Sequence, residues 1–267
     1  MSDAPFAAWV GRSETRRDVI TSAPLRGLSA ALDREEAWAS GEIPPLAHWL
    51  YFLPTTRQSE LGEDGHPRRG GFLPPVELPR RMWAAGRLRF HAPLCVGDAV
   101  ERVSTIKSVA EKAGASGPLV FVTIAHAISA NGVVAIEEEQ DIVYRGEVGA
   151  ARTPAPVSRV ADRERAFAPD STLLFRYSAL TFNAHRIHYD AEYARTRENY
   201  PGLVVQGPLI ATLLIDHHVS AHGAPRSFTF RAERPLFAGD RAKLCADGGA
   251  LWCANAAGEV VMSAEAR

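Results

Sequence analysis

The stretch Tyr177-Ser178-Ala179-Leu180-Thr181-Phe182-Asn183-Ala184-His185-Arg186-Ile187-His188-Tyr189-Asp190 gathers most of the side chains able to do chemistry. An imidazole titrates near neutral pH and can both accept a proton and return it, which makes His188 a candidate acid–base group. Asn183 cannot take up a proton, although its carbonyl can accept a hydrogen bond and its NH2 can donate one. Arg186 suits a carboxylate or phosphate, or is an ordinary surface cation. His185-x-x-His188 also invites a metal reading, with Asp190 or His217-His218 completing the set. Metal-binding pairs need helical i,i+4 spacing or a defined third ligand. Neither is evident, and no metal is expected.

These residues need elements to hold them. Asp190 suits the N-cap of a short helix. Further on, Tyr200-Pro201-Gly202-Leu203-Val204-Val205-Gln206-Gly207-Pro208 leads into the apolar run Leu209–Ile215. Pro208 fits a first helical position, where its missing N–H costs nothing. Leu209, Ile210, Leu213 and Leu214 recur at helical spacing, and Gly223 marks a stop. The sequence therefore predicts a buried helix. Its first N–H groups have no partner within the helix, and its dipole favours negative charge there. The Gly207 N–H could thus hold an oxygen on which charge develops.

One layout is written twice. Phe90-His91-Ala92-Pro93-Leu94-Cys95-Val96-Gly97-Asp98 parallels Phe230-Arg231-Ala232-Glu233-Arg234-Pro235-Leu236-Phe237-Ala238-Gly239-Asp240. Gly-Asp suits a tight turn, and each copy opens a candidate strand, Ala99–Ile106 and Arg241–Ala246. Asn131-Gly132 and Ala257-Gly258 then look like matched hairpin turns. Val120, Val122, Ile124 and Ile128 alternate as on a half-buried strand. Ile136–Arg145 carries Glu137-Glu138-Glu139, read as exposed. A helix is expected over Leu25–Glu36, and His66–Gly71 reads as a mobile surface loop. Helix plus strands, twice over, describes an α+β protein in which two antiparallel sheets each wrap a central helix. The units are placed at 1–150 and 156–267, with Gly146–Ala155 as linker.

The passage Phe182–Asp190, together with Gly71-Phe72-Leu73-Pro74-Pro75 and Leu78-Pro79-Arg80-Arg81-Met82-Trp83, resembles the MaoC-like (R)-specific hydratases. It is most similar to the subgroup of type 2 3-hydroxyacyl-thioester dehydratases and mesaconyl-C4-CoA or itaconyl-CoA hydratases. The broader family's motif is Asp-x-Asn-Pro-x-His. Its His falls on His188 and its Asp on Asn183, where this chain departs from the pattern. His185 and Arg186 occupy the Asn and Pro positions. The resemblance implies a double hot-dog fold and reversible hydration of an acyl-CoA thioester. It gives His188 the proton transfer, Asn183 the orientation of water and the Gly207 N–H the thioester oxygen. His185, Arg186, Gln206, Arg80 and Arg81 are the expected substrate contacts. Arg186 is matched to a second carboxylate of a short dicarboxylyl-CoA, and Arg80-Arg81 to CoA phosphates. In the N-terminal unit, read as a scaffold or binding half, Trp49, Tyr51, Phe52 and Trp83 are expected to line an apolar slot. The alternatives are a hot-dog thioesterase and a non-catalytic acyl-CoA-binding module.

Bulk properties agree with an enzyme of small molecules. Thirty Lys+Arg against 31 Asp+Glu provide no global field for nucleic acid or an acidic membrane. No apolar run is long enough to span a bilayer, and the first residues lack the pattern of a secretory signal. A cytoplasmic protein is expected. GxGxxG, GxxxxGK[ST] and Gly-x-Ser-x-Gly are absent, so no cofactor is implied and a serine hydrolase is disfavoured. His217-His218-Val219-Ser220-Ala221-His222 has His222 where an acyltransferase signature needs Asp, and reads as a helix end. Cys95, Cys245 and Cys253 read as reduced thiols. Monomer and homodimer both stay open.

Overall fold

The computed structural model describes residues 6–35, 41–114, 117–146 and 160–267. The predicted alternation in the first part of the chain produces five strands. These are β1 (Ser13–Val19), β2 (Arg80–Phe90), β3 (Ala99–Gly114), β4 (Gly117–Ala130) and β5 (Val133–Arg145). Between β1 and β2 lies α1 (Ser22–Ala31), which buries Leu25 and Leu28. The second part supplies β6 (Arg163–Phe167), α2 (Ser171–Leu180), α3 (Ala191–Thr196) and α4 (Gly207–His222). It closes with β7 (Ser227–Ala232), β8 (Ala242–Asp247), β9 (Ala250–Asn255) and β10 (Val260–Ala266).

The repeated turn keeps its hydrogen bonds in both copies. Asp98 Oδ2 accepts from the Cys95 N–H at 2.8 Å, and Asp240 Oδ2 from the Phe237 N–H at 3.0 Å. Gly97 and Gly239 sit at φ 100° and 91°, where a side chain would be strained. The predicted hairpin at Asn131-Gly132 has both residues at positive φ, which matches the right-handed twist of its strands.

The two expected sheets join edge to edge into one ten-stranded sheet. The strand order is β1-β3-β4-β5-β2-β7-β10-β9-β8-β6, with β2 and β7 antiparallel from Ala85↔Arg231 to Arg89↔Ser227. Joining these strands edge to edge satisfies two rows of backbone groups that would otherwise lie open. In the second half α4 is buried from Leu209 through Ile215 and packs on β7 to β10. Pro208 stands in its first turn and Gly223 caps its end, as the sequence predicts. No helix among the described residues is long and apolar enough to cross a membrane. Most of the expected linker, residues 147–155, lies outside the described residues.

One expectation about the first half fails. Glu138 is 3% exposed, because strand alternation turns it inward between Glu137 and Glu139. It accepts from Trp49 Nε1 at 3.0 Å and from Gln140 Nε2 at 2.8 Å, and pairs with His48 Nε2 at 3.0 Å. Burial would push its carboxyl up. The His48 bond and charge, the His126 charge and the Gln140 bond outweigh that, and hold it well below the ordinary carboxylate range.

Candidate active site

The catalytic candidate is fixed by the turn that leaves α2. Phe182 adopts φ 48°, an uncommon conformation for a bulky residue. The Asn183 N–H then donates to the Ser178 carbonyl at 2.8 Å. Asn183 Oδ1 accepts from the His185 N–H at 3.0 Å, which fixes the amide orientation and leaves its NH2 as the free donor. A short 3-10 turn, Arg186–His188, follows, and Asp190 caps α3 through the Tyr193 N–H as expected.

A second strand of chain holds the imidazole. The Val204 N–H donates to the Ile187 carbonyl at 2.9 Å, and His188 Nδ1 lies 2.7 Å from the Val204 carbonyl. A carbonyl only accepts, so Nδ1 carries the hydrogen and Nε2 keeps its lone pair. Nε2 has no partner among the described residues, yet it is not among their sealed unpaired atoms, so one face of it is accessible. Burial pulls the His188 pKa down to about 4, against the Val204 bond and with help from His66. At neutral pH the ring is a neutral base.

Three residues beyond Val204, α4 begins. Gly207 is its first residue, and Gln206 precedes it with φ −62° and ψ 130°. A Cβ on Gly207 would stand 3.8 Å from Met262 Cε and 4.0 Å from the Trp83 carbonyl, both ordinary contacts. Gln206 departs from its expected role. It is 1% exposed, and its NH2 ties the Leu174 carbonyl (2.8 Å) and Ser178 Oγ (2.9 Å) of α2 to the start of α4. It is a strut.

The loop read as mobile surface instead packs on the site. The Arg186 N–H donates to the Asp64 carbonyl at 3.0 Å. Gly65, at φ 86°, lies so close that a Cβ there would fall 1.8 Å from the Ala184 carbonyl oxygen. The loop delivers Asp64 and His66, two residues the sequence reading missed. Asp64 accepts from the His66 N–H and pairs with His66 Nδ1, both at 3.0 Å. The His66 ring lies 4.1 Å from that of His185, which lies 5.2 Å from that of His188. Burial lowers the His66 pKa against its bond to Asp64; burial and the neighbouring His66, His188 and Arg81 lower that of His185 further. The short-range signal was Asp-Gly-His, a spacing that lets one carboxylate cap its own turn and orient a ring.

Asp64, His66 and His185 offer donor atoms within 4.8 Å of one another, the spacing of a metal set. Asp64 already spends both oxygens on His66, and the Arg69 and Arg81 charges reach this cluster, which opposes a further cation. Asp190, the ligand proposed from sequence, is held by Arg186 and the α3 N-terminus.

The arginines are also redistributed. Arg186 gives Nε and Nη2 to Asp190 Oδ2 (3.1 and 2.7 Å) and Nη1 to the Glu63 carbonyl (3.2 Å), and it covers the Tyr193 ring at 4.2 Å. These bonds engage Arg186 within the fold. Arg80 is buried beside Glu198, with Nε 3.1 Å from Oε2. Arg81 lines a cavity of about 480 Å³ together with Asp64, Arg80 and Glu198. Of the expected slot, Tyr51 and Phe52 belong to the core at 4% and 5% exposure. Trp49 and Trp83 stack edge to face at 4.9 Å, and the Trp83 carbonyl borders Gly207.

With this geometry in place, relatives can be compared. A profile of the hydroxyacyl-thioester dehydratase type 2 family matches residues 46–238. The chain is 50% identical over 246 residues to the mesaconyl-C(4)-CoA hydratase of Chloroflexus aurantiacus, covering 89% of this chain and 87% of that one. It is 29% identical over 280 residues to the mitochondrial hydroxyacyl-thioester dehydratase type 2 of Schizosaccharomyces pombe, covering 88% and 91%. Among solved structures, HtdX of Mycobacterium tuberculosis superimposes with a TM-score of 0.70 at 17% identity, covering 95% and 98%. Another protein of that organism, described as a double hotdog fold, gives a TM-score of 0.56 at 13% identity, covering 96% and 95%. The fold is a double hot-dog.

Proposed function

The chain belongs to the hydroxyacyl-thioester dehydratase type 2 family, and from that premise we propose that it adds water reversibly to a 2-enoyl-CoA through His188. The observation that carries the assignment is the His188 ring: Nδ1 tied to a main-chain carbonyl, Nε2 accessible, charge withheld by burial. His188 Nε2 takes a proton from water as the oxygen bonds to Cβ, and the double-bond electrons move toward the thioester oxygen. The Gly207 N–H at the start of α4 receives that oxygen, where the helix dipole favours its charge. The imidazolium then returns the proton to Cα. Asn183 offers its NH2 to the water oxygen; its own oxygen is occupied by the His185 N–H.

The substrate we favour is a short dicarboxylyl thioester. The relative from Chloroflexus aurantiacus is described as a hydratase of mesaconyl-C(4)-CoA and matches along most of both chains. In this reading residues 156–267 form the catalytic unit. Residues 1–150 form the other, which brings Asp64, His66 and Arg81 to the site. The edge pairing that separate units would find in a dimer is met here within one chain by β2 and β7. A cytoplasmic location remains part of the proposal.

One assay tests the reaction. Incubation with crotonyl-CoA and mesaconyl-C4-CoA is expected to remove the enoyl absorbance without releasing free thiol. Thiol release would make the protein a thioesterase, and neither change would leave a binding module.

A further inference from the structure

The cavity that Asp64, bonded to His66, helps to line is rich in arginine, and most of that charge is already engaged. Arg69 spans the Val76 and Pro79 carbonyls and faces the Tyr144 ring. Arg197 pairs with Glu63 at 3.2 Å. Arg80 is ion-paired with Glu198, and its Nη1 is sealed without an acceptor in a side chain only 7% exposed. Arg81, half-buried on the cavity wall, has no hydrogen-bond or ion-pair partner among the described residues. A buried guanidinium N–H without an acceptor is costly. The Arg81 guanidinium on that wall is a receptor for a planar anion that can take two N–H bonds.

We propose that Arg81 binds the free carboxylate of a dicarboxylyl thioester and so sets the acyl specificity of this enzyme. The proposal rests on the hydratase reading above and deepens it. Arg81 and Trp83 are two residues apart on the regular part of β2, so they share a face and stand roughly 6.6 Å apart along the strand. The Trp83 carbonyl lies 4.0 Å from the Cβ position of Gly207, whose N–H is assigned to the thioester oxygen. β2 thus carries Arg81 two residues from the point where the strand borders the start of α4. The phosphates of CoA share the same anionic chemistry, but they hang at the far end of the pantetheine arm. The Arg81 charge also reaches His66 and His185, where it favours their neutral forms alongside burial.

The test compares wild type, Arg81→Met and Arg81→Lys on three substrates: mesaconyl-C4-CoA, crotonyl-CoA and the N-acetylcysteamine thioester of mesaconate. The last keeps the second carboxylate and lacks the phosphates. In Arg81→Met the ratio of kcat/KM for mesaconyl-C4-CoA over crotonyl-CoA is expected to fall roughly 30-fold, the loss of a charge-assisted bond. Most of that change is expected in KM. The N-acetylcysteamine thioester is expected to lose as much as mesaconyl-C4-CoA, and Arg81→Lys to recover part of the ratio with both. Equal losses on both CoA thioesters, with none on the N-acetylcysteamine thioester, would make the anion a phosphate and overturn the proposal. So would an unchanged ratio in Arg81→Met, or a wild-type enzyme that hydrates crotonyl-CoA and ignores mesaconyl-C4-CoA; the hydratase reading survives both. Hydration of neither CoA thioester removes that reading, and the subsite with it.

Discussion

Each half of the sheet buries a histidine against an acceptor: His48 on the Glu138 carboxylate at 3.0 Å, and His188 on the Val204 carbonyl at 2.7 Å. In the first half the acceptor is charged, Trp49 and Gln140 complete its shell, and the remaining His48 nitrogen is sealed. That cluster ties the 3-10 turn Ala47–Leu50 to β5. In the second half the acceptor is neutral and the remaining nitrogen is accessible. A neutral acceptor fixes the tautomer without stabilising the imidazolium as a carboxylate would, so the ring stays a free base. In the function proposed above, the same residue type serves structure in one half and chemistry in the other, according to what lies on its second nitrogen.

The strongest challenge to this contrast is His188→Ala. It should lower kcat for crotonyl-CoA hydration by roughly 10²- to 10⁴-fold, the usual scale for a lost acid–base group. Circular dichroism should remain that of a folded protein. A variant keeping more than a tenth of the activity would move the chemistry elsewhere. Glu138→Ala should do the reverse. Breaking a buried pair costs about 3–5 kcal/mol of stability, read by urea unfolding, while kcat/KM of the folded fraction stays near wild type. The pH dependence has a definite sign. A carboxyl held below its ordinary value of 4.5 contributes fully above that value and loses its contribution as pH falls through the lowered one. The stability gap between wild type and Glu138→Ala should therefore narrow on acidification.

A smaller effect tests whether the first half is truly part of the site. Gly65→Ala places a methyl on the Ala184 carbonyl in a conformation that side chains avoid. It should cost about 1–3 kcal/mol of local strain and withdraw the Asp64–His66 loop, seen as a drop in kcat/KM larger than any change in melting temperature. Equal kinetics in Gly65→Ala would return that loop to scaffold.

Much of this molecule was readable in one dimension. The duplicated Gly-Asp turns, the Asn131-Gly132 hairpin, the Pro208 helix start and the Asp190 cap each depend on a few adjacent residues, because backbone conformation and capping are local. His188 could be singled out because the resemblance and the chemistry of imidazole agreed on it. What the chain order could not convey was which polar groups are already satisfied. Arg186 and Gln206 looked available and are engaged, Glu138 looked exposed and is buried, and His66 looked peripheral and stands beside His185. Residues 64–66 and 184–186 meet across more than a hundred positions of sequence, as do β2 and β7. Local pattern fixes the turns and helix ends, whereas the availability of a charge or a lone pair is a property of its neighbours in space, which only the folded chain brings together.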